Sequence, residues 1–485
     1  MSVNSQSPKN TAYYIHSLIT LVLIFGFGFL PPIEPITPVG MRILGILLGL
    51  LYGWTLVGLL WPSLFGTLAI GLSGAMPIKA VFTAGWGSDI TLLILFIFVF
   101  AAMVEAAGVS KAIAMWFVTR KVFMGRPWAF SFILLFSAFL LSATTSTIAA
   151  IIICWGIVYR ISGELGYKPG DKWPALMVLG VVFACTVGLS LFPFRSVPLV
   201  VVGSYTALSG INVPFFNYVC FTAPIGVLSL AAYTLLCKFI FRPDVAPLIA
   251  LTEDTFGEEA NIRLNQHQKI IIGFLIALIV LLLFPSLLPK EWLIARFLNG
   301  IGATGVVFLL IGVMCCIRFE GKPLLNFRDM AKEGIQWDVV ILTATVVPLI
   351  SLITADSTGI KPFLSQMLQP IFAGKPDILF IALVILFSIV LTNLCNNAVT
   401  GVLFVAITYG FAADAGMNTT VLAMLIVFCV HLAVLTPAGS PMAAILHGNR
   451  EWISAGEIYK YGIIAVLATG IVLLVIGLPL ASLLF

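Results

Sequence analysis

The sequence predicts an all-α integral membrane protein with about eleven transmembrane helices and two re-entrant helical hairpins, arranged as an inverted repeat. Three observations lead to this prediction. The 485-residue chain is 61% hydrophobic and only 9% charged, whereas soluble domains carry about 25% charged residues. Its apolar residues form runs close to the ~20 residues that a spanning helix needs. Two polar clusters also recur at matching places in the two halves of the chain.

Eleven apolar runs are the predicted spans. They cover 13–30, 42–59, 61–76, 90–107, 173–191, 215–239, 270–288, 297–316, 339–353, 421–435 and 463–485. Two further uncharged stretches, 127–159 and 378–413, are each too long for one span and too short for two spans with a loop. Each carries its polar cluster near the middle, which favours a re-entrant hairpin whose irregular backbone is buried in protein or lines a cavity.

The distribution of positive charge sets the predicted orientation. With a cytoplasmic N-terminus and two re-entrant hairpins, 18 of the 25 Lys and Arg residues lie in cytoplasmic loops, six lie outside, and Arg195 alone lies in the membrane. This asymmetry follows the positive-inside rule. The prediction is a multi-pass protein of the plasma (inner) membrane with its C-terminus outside.

A polar segment near the middle divides the chain. Residues 242–268 include five acidic residues, among them Glu253, Asp254, Glu258 and Glu259, and form the predicted cytoplasmic linker. We expect scaffold helices in 1–107 and 269–356. We expect transport elements in 108–241 and 357–485. These contain the hairpins 127–159 and 378–413, and two helices, 173–208 and 421–447, that are interrupted by proline.

The internal repeat rests on a constant offset. An acidic residue and then a glycine follow a matching span in each half, and the two glycines, Gly108 and Gly359, are 251 residues apart. The same offset maps 396–398 onto 145–147, so both polar clusters occupy equivalent places. Weak internal symmetry with opposite membrane orientation is typical of inverted-repeat transporters.

The polar clusters are the candidate binding segments. The first spans 142–147 and contains only Ser, Thr and Ala, and the second spans 392–400 and contains three asparagines. Hydroxyl, amide and freed carbonyl oxygens suit Na⁺, and freed N–H groups at the N-termini of half-helices suit a carboxylate. Simple packing between helices remains an alternative for both clusters.

A proline-containing break follows each hairpin. The first includes Pro193, Arg195 and Pro198, and the second includes Pro437 and Pro441. Proline removes an N–H group and ends a helix. Arg195 is a fixed charge inside the membrane, and such residues are usually functional.

This arrangement resembles the divalent anion/sodium symporter family, which includes dicarboxylate symporters and citrate/succinate exchangers. The resemblance covers the chain from about Met41 to the end. The family carries a Ser-Asn-Thr motif at each hairpin tip, and Asn396, Asn397 and Ala398 look like the second of these. Thr436–Pro437 and Ser440–Pro441 resemble the family's second break. The first tip lacks the asparagine, and Arg195 stands where the family usually has a small residue.

The resemblance implies an elevator-like transport domain, a homodimer, and a small organic dianion bound between the two tips, with Na⁺ as the possible coupling ion and no cofactor. The predicted substrate-binding residues are Thr144, Thr145, Ser146, Thr147, Arg195, Ser196, Asn396, Asn397, Thr400, Thr436, Pro437 and Ser440. The predicted sodium ligands are Ser142, Thr392, Asn396, Asn397 and Gly439. Replacement of a coupling cation by Arg195 favours exchange, or coupling to fewer Na⁺ ions.

Other functions remain open at this stage. The transport alternatives are an inorganic oxyanion carrier and a cation/proton antiporter, although neither hairpin has the mid-membrane carboxylate that proton antiport needs. A membrane-embedded enzyme or sensor is a different class. The four histidines lack HExxH spacing, and the eight cysteines lack CxxC spacing, so we predict no catalytic residue and no other metal site. The net charge of +5 comes from short loops and predicts no nucleic-acid partner.

The predicted orientation can be tested with single cysteines at Ala260 and Ser482, in a variant that lacks the native cysteines. In sealed cells, an impermeant thiol reagent should label only the second position. Labelling at position 260 from outside would contradict the cytoplasmic linker.

Overall fold

The computed structural model describes residues 11–252, 264–289, 291–372 and 376–485, and it is helical almost throughout. The first half contains eleven α-helices: α1 (Thr11–Gly26), α2 (Pro38–Leu56), α3 (Leu60–Leu72), α4 (Ile78–Trp86), α5 (Asp89–Ala106), α6 (Val109–Val118), α7 (Pro127–Thr144), α8 (Thr147–Glu164), α9 (Lys172–Leu189), α10 (Ser196–Ser209) and α11 (Phe215–Leu236). Part of the predicted linker, 253–263, lies outside the described residues.

The second half begins after the linker. Its α-helices are α12 (Gln266–Leu283), α13 (Leu293–Cys316), α14 (Phe327–Gly334), α15 (Trp337–Thr354), α16 (Ile360–Phe372), α17 (Asp377–Thr392), α18 (Asn397–Asp414), α19 (Thr419–Cys429), α20 (Pro441–Gly448), α21 (Ala455–Val472) and α22 (Leu478–Leu484). Two short strands, β1 (Arg318–Phe319) and β2 (Lys322–Pro323), pair as an antiparallel hairpin.

Twelve helical segments among the described residues are long and apolar enough to cross a membrane. This confirms the prediction of an all-α integral membrane protein. The count includes both arms of the first hairpin and the second arm of the other, because each has 18 residues. It omits the predicted spans 61–76 and 421–435, because the corresponding helices α3 and α19 have only 13 and 11 residues. Orientation and re-entry remain predictions.

The order of the helices repeats with a shift of ten elements. Helices α2 to α11 correspond in order to α12 to α21, and α5, α15, α8 and α18 all have 18 residues. A left-handed glycine, Gly108 or Gly359, follows α5 or its counterpart α15. The last helix of each series continues into a π-helical turn, Cys237–Phe241 or Leu473–Gly477. These matches support the internal repeat.

Reciprocal contacts join the two halves. Thr37, which caps the N-terminus of α2, donates from its backbone N–H to Thr358 O (3.0 Å) and from Oγ1 to Ser357 O (2.7 Å), in the turn after α15. In the counterpart, Gln268 in the first turn of α12 donates from Nε2 to Ala107 O (3.0 Å), in the turn after α5. The turns after α5 and α15 are the junctions where the predicted scaffold helices meet the predicted transport elements. The first helix of each series, α2 or α12, therefore holds the junction in the other series.

Helix α9 lies at the centre of the molecule. Of its 18 residues, 17 are buried, as expected of a helix that is hydrophobic on all sides. It packs closely on α7, because Gly188 leaves no room for a side chain beside the Phe139 carbonyl. Helix α1, in contrast, buries only Thr20 and Ile24, so its apolar surface is available to lipid.

The two left-handed glycines provide a matched pair of substitutions. Alanine at either position costs about 1 kcal/mol in the left-handed conformation. At Gly359 the new Cβ would also overlap the Pro35 carbonyl oxygen, whereas at Gly108 the nearest atom would be 3.7 Å away. Such overpacking costs about 1–3 kcal/mol more. We expect Gly359→Ala to lower the melting temperature of the detergent-purified protein more than Gly108→Ala does. Equal shifts would contradict the close contact between the two halves.

Candidate substrate site

The first hairpin turns in two residues. Helix α7 ends at Thr144 and α8 begins at Thr147, so the first tip is Thr145–Ser146. The Thr144 and Thr145 hydroxyls donate to the carbonyls of Leu140 (2.9 Å) and Leu141 (2.8 Å), within their own helix. The Ser146 hydroxyl caps α8 by accepting from the Ala149 N–H (3.4 Å). All three hydroxyls therefore make local hydrogen bonds.

Arg195 joins this tip to the helix that follows. The first break, 190–195, separates α9 from α10, and Arg195 is its last residue. Its guanidinium Nη2 donates to Thr145 O (2.7 Å). The half-buried side chain thus pairs a positive charge with the Thr145 carbonyl. This carbonyl lies at the C-terminal end of α7, where the helix dipole is negative. Ser196, also half-buried, begins α10.

The second tip, 393–396, is held by asparagine side chains. Asn393 Nδ2 donates to Leu432 O (2.9 Å) and to Ile389 O (2.8 Å), and Asn393 Oδ1 accepts from the Leu435 N–H (2.8 Å). The Asn393 carbonyl accepts a short hydrogen bond from the Thr436 hydroxyl. Asn393 therefore connects the second tip to the second break, 430–440, which separates α19 from α20.

The other predicted residues of the second tip surround the N-terminus of α18. Asn396 Oδ1 caps this helix by accepting from the Ala398 N–H (3.0 Å), and the buried Thr400 hydroxyl donates to Asn396 O (3.0 Å). The Asn397 backbone N–H donates to Gly439 O in the second break (3.1 Å). Asn396 is half-buried and Asn397 is buried.

The second break contributes another capped helix. The Ser440 hydroxyl donates to Ala433 O (2.7 Å) and accepts from the Ala443 N–H (3.1 Å), which caps α20. Gly439 approaches the Thr392 carbonyl so closely that a side chain would not fit. Pro437 is exposed. Ser440, Gly439 and Thr436 therefore shape the break itself.

Two predicted sodium ligands occupy equivalent positions. Ser142 on α7 and Thr392 on α17 are 250 residues apart, and both are fully buried. Ser142 Oγ donates to Cys185 O on α9 (2.6 Å), and Thr392 Oγ1 donates to Val430 O at the end of α19 (2.8 Å). Ser142 Oγ also lies within hydrogen-bond distance of Thr147 Oγ1 (3.1 Å). These oxygens keep lone pairs, but in this conformation the hydroxyls hold each hairpin against its broken helix.

Parallel packing of α10 and α18 brings the two half-sites together. Gly401 contacts Val201 through a position where a Cβ would not fit, and one to two turns further along, the Tyr205 and Tyr409 rings lie 6.3 Å apart. Both helices therefore begin at the same end of the contact. Arg195 immediately precedes α10, and the second tip immediately precedes α18. Both tips consequently lie near the start of α10.

The resulting site combines the N-terminal ends of four helices, α8, α10, α18 and α20, with one guanidinium. Three of these N-termini are capped by Ser146, Asn396 and Ser440, and all four carry the positive end of a helix dipole. The tips and breaks contain no Asp or Glu, and no cluster of His, Cys, Asp and Glu able to hold a metal occurs in the described ranges. The electrostatics therefore favour an anion.

Sequence reasoning did not assign a role to Asn393. It lies in the second polar cluster, but sequence position does not reveal which of the three asparagines connects the tip to the break. Asn393 follows Ile389 by four residues at the end of a helix. An amide at such a position can bond both back to the helix and across to a neighbour, so this position could have indicated its role. Sequence reasoning also assigned no role to Phe192 and Phe194, which lie in the first break beside Arg195.

Comparison with known proteins identifies the class of protein. Residues 11–485 match the family model described as the sodium:sulfate symporter transmembrane region. An uncharacterized transporter of Haemophilus influenzae is 23% identical, with 97% of each chain covered. Sodium-dependent high-affinity dicarboxylate transporter 3 of Caenorhabditis elegans is 25% identical over 59% of this chain and 54% of the relative.

Two solved structures share the fold. The Neisseria gonorrhoeae MtrF structure has a TM-score of 0.60 at 15% identity, with 97% of this chain and 94% of that chain covered. The Alcanivorax borkumensis YdaH transporter structure has a TM-score of 0.56 at 13% identity, with 98% of both chains covered. At these identities the likeness concerns the fold alone. Because the family model spans nearly the entire sequence, the chain belongs to the sodium:sulfate symporter family and is a membrane transporter.

Proposed function

We propose that this transporter carries a small di- or tricarboxylate, such as succinate, malate or citrate, bound between its two hairpin tips. The observation that carries the proposal is the position of Arg195 at the first tip, next to the helix N-termini that converge there. A buried anion needs compensating charge and hydrogen bonds, and these groups supply both. The Caenorhabditis elegans dicarboxylate transporter among the relatives supports an organic anion.

Family membership excludes the enzyme alternative. A cation/proton antiporter is not supported either, because the tips and breaks contain no carboxylate to bind the proton or cation. An inorganic oxyanion remains the second candidate, and the same uptake experiment distinguishes it. The binding residues in this proposal are those predicted from the sequence, together with Asn393 as the residue that positions the second tip.

The transport step would follow from the division of the chain. We expect each hairpin and its broken helix to move as one body against the scaffold helices, because buried hydrogen bonds of Ser142, Thr392 and Asn393 join hairpin to break. The fixed junctions after α5 and α15 would be the pivots. This is an elevator-type mechanism, and we expect it to operate in a homodimer in the plasma membrane.

Arg195 also bears on the coupling mechanism. Carbonyls at the C-terminal ends of half-helices are typical Na⁺ ligands in transporters, and the guanidinium occupies that place at Thr145. A fixed cation stays with the protein after the substrate leaves, so the empty carrier would hold it uncompensated. We therefore expect exchange, or coupling to fewer Na⁺ ions than two symmetric sites would bind. The second tip is the remaining candidate sodium site.

The function is tested by uptake into proteoliposomes. Labelled succinate, malate, citrate and sulfate are compared with and without Na⁺, and with and without internal counter-substrate. We expect uptake of at least one carboxylate, faster when the vesicles contain counter-substrate. Transport of sulfate with no uptake or competition by any carboxylate would favour the inorganic oxyanion and contradict the proposal.

The role of Arg195 is tested with a matched arginine as control. Loss of a hydrogen bond to a charged group costs about 1.5–3 kcal/mol, so Arg195→Ala should weaken carboxylate affinity roughly ten- to hundredfold or make it newly dependent on Na⁺. Arg195→Lys, which keeps the charge but not the planar donors, should lie between. Arg42, on α2, also donates to a backbone carbonyl, Ser73 O (2.9 Å), but it is not one of the proposed binding residues. Arg42→Ala should leave affinity unchanged.

Unaltered affinity and unaltered Na⁺ dependence in a well-expressed Arg195→Ala protein would contradict this role. Equal loss in the Arg195→Ala and Arg42→Ala proteins would also contradict it, since it would indicate a general effect of removing an arginine that bonds to a backbone carbonyl.

A further inference from the structure

A short basic segment connects α6 to the first hairpin on the predicted cytoplasmic side. Residues 116–126, here named the basic elbow, begin in the last turn of α6 and end where α7 begins. The elbow contains three exposed basic residues, Arg120, Lys121 and Arg126. No acidic residue occurs between Glu105 and Glu164. The positive charge of the elbow is therefore not offset by any nearby residue in the sequence.

Trp116 holds the first of these basic groups in place. The Arg120 guanidinium carbon lies 4.1 Å from the centre of the Trp116 ring, and Arg120 Nε donates to Trp116 O (2.9 Å). A cation over an aromatic face is attracted by it. Arg120 Nη1 and Nη2 and the whole Arg126 guanidinium have no hydrogen-bond or ion-pair partner among the described residues. These donors are therefore available to an anion outside the chain.

Exposed apolar side chains lie beside these charges. Trp116 and Val122, both within the elbow, are 56% and 65% exposed. Gly125 packs against the turn that follows α11, where a Cβ would lie 3.5 Å from Ile249 O, and the Ile249 side chain is 65% exposed. Tryptophan and aliphatic side chains next to Lys and Arg are typical of segments that lie at the level of lipid headgroups.

The equivalent segment of the second half lacks this character. The offset of 251 residues maps the elbow onto 367–377, which contains Lys375 and Asp377 and no arginine. The predicted topology places that segment on the opposite side of the membrane. Anionic lipids are concentrated in the cytoplasmic leaflet, where they attract basic segments next to the membrane. The asymmetry between the two segments therefore matches the asymmetry of the bilayer.

We propose that the basic elbow binds the headgroups of anionic phospholipids. Phosphate oxygens accept from Arg120 and Arg126, while Trp116 and Val122 lie at the boundary between headgroups and acyl chains. Because the elbow joins the junction after α5 to the first hairpin, bound lipid holds this end of the hairpin at the membrane surface. The proposal does not depend on which anion the transporter carries.

The proposal is tested by native mass spectrometry of the full-length protein, purified in detergent with equal amounts of phosphatidylglycerol and phosphatidylcholine. The ratio of the two bound lipids is measured, so a general change in lipid binding does not affect the result. Each Lys or Arg near an anionic surface contributes roughly fivefold in affinity. We expect wild type to prefer phosphatidylglycerol, and a variant with Arg120→Gln, Lys121→Gln and Arg126→Gln to lose at least about fivefold of this preference.

A second triple variant is the control. Arg318→Gln, Lys322→Gln and Arg328→Gln also remove three exposed basic residues from the predicted cytoplasmic side, but acidic residues, Glu320 and Asp329, lie among them. We expect this variant to keep the preference of wild type. A variant with Arg120→Lys and Arg126→Lys keeps the charges of the elbow and should retain most of the preference, which separates loss of charge from local misfolding.

Three outcomes would overturn the proposal. If wild type shows no preference for phosphatidylglycerol, the elbow is not a lipid site. If the two triple variants lose the preference equally, it depends on total charge and not on the elbow. If a preference appears only after the acidic residues of the linker, Glu253, Asp254, Glu258 and Glu259, are changed to glutamine, the partner of the elbow is the linker and not lipid.

Discussion

The structure depends on one constraint: irregular backbone inside a membrane must find its hydrogen-bond partners within the protein. Two tips and two breaks interrupt the helices of this chain, and each interruption frees N–H and carbonyl groups. At the second tip, the buried Asn393 meets this requirement with both ends of its amide and with its backbone carbonyl. The tip and the break thus stabilise each other, and neither is expected to persist alone.

The first tip meets the same constraint by different means, and this asymmetry has functional consequences. Ser142, the counterpart of Thr392, joins the first hairpin to α9 in the same way as Thr392 joins the second hairpin to α19. The Thr145 carbonyl at the first tip, however, accepts from Arg195, whereas the Asn393 carbonyl at the second tip accepts from the Thr436 hydroxyl. The repeat therefore supplies a symmetric framework, and one half-site carries a permanent positive charge. A dianion bound between the tips would be held by this charge on one side and by capped helix N-termini on the other.

The helices were predictable because lipid imposes a strong compositional signal. The two hairpins were predictable as pairs of helices because a polar cluster interrupts each long apolar stretch. Ser142 and Thr392 occupy equivalent positions but are 250 residues apart, so the offset of 251 inferred from the sequence does not hold for the hairpins. The glycines after α5 and α15 are 251 residues apart, but the hairpins are offset by 250, with Ser146 and Asn396 both serving as N-caps. The second break also extends over 11 residues and the first over six, so a single offset cannot align both. The hydrogen-bond partners of the side chains could not be predicted from the sequence. The Thr145 hydroxyl donates back to its own helix, and only the fold brings Arg195 to the Thr145 carbonyl.

Binding of a carboxylate at Arg195, between the two tips, can be observed by cryo-electron microscopy. The map is determined for the reconstituted protein with the anion that the uptake assay selects. We expect ligand density within hydrogen-bond distance of the Arg195 guanidinium, extending toward the N-terminus of α18, and absent from a matched map of Arg195→Ala. Ligand density away from both tips, or unchanged density in the variant, would contradict it.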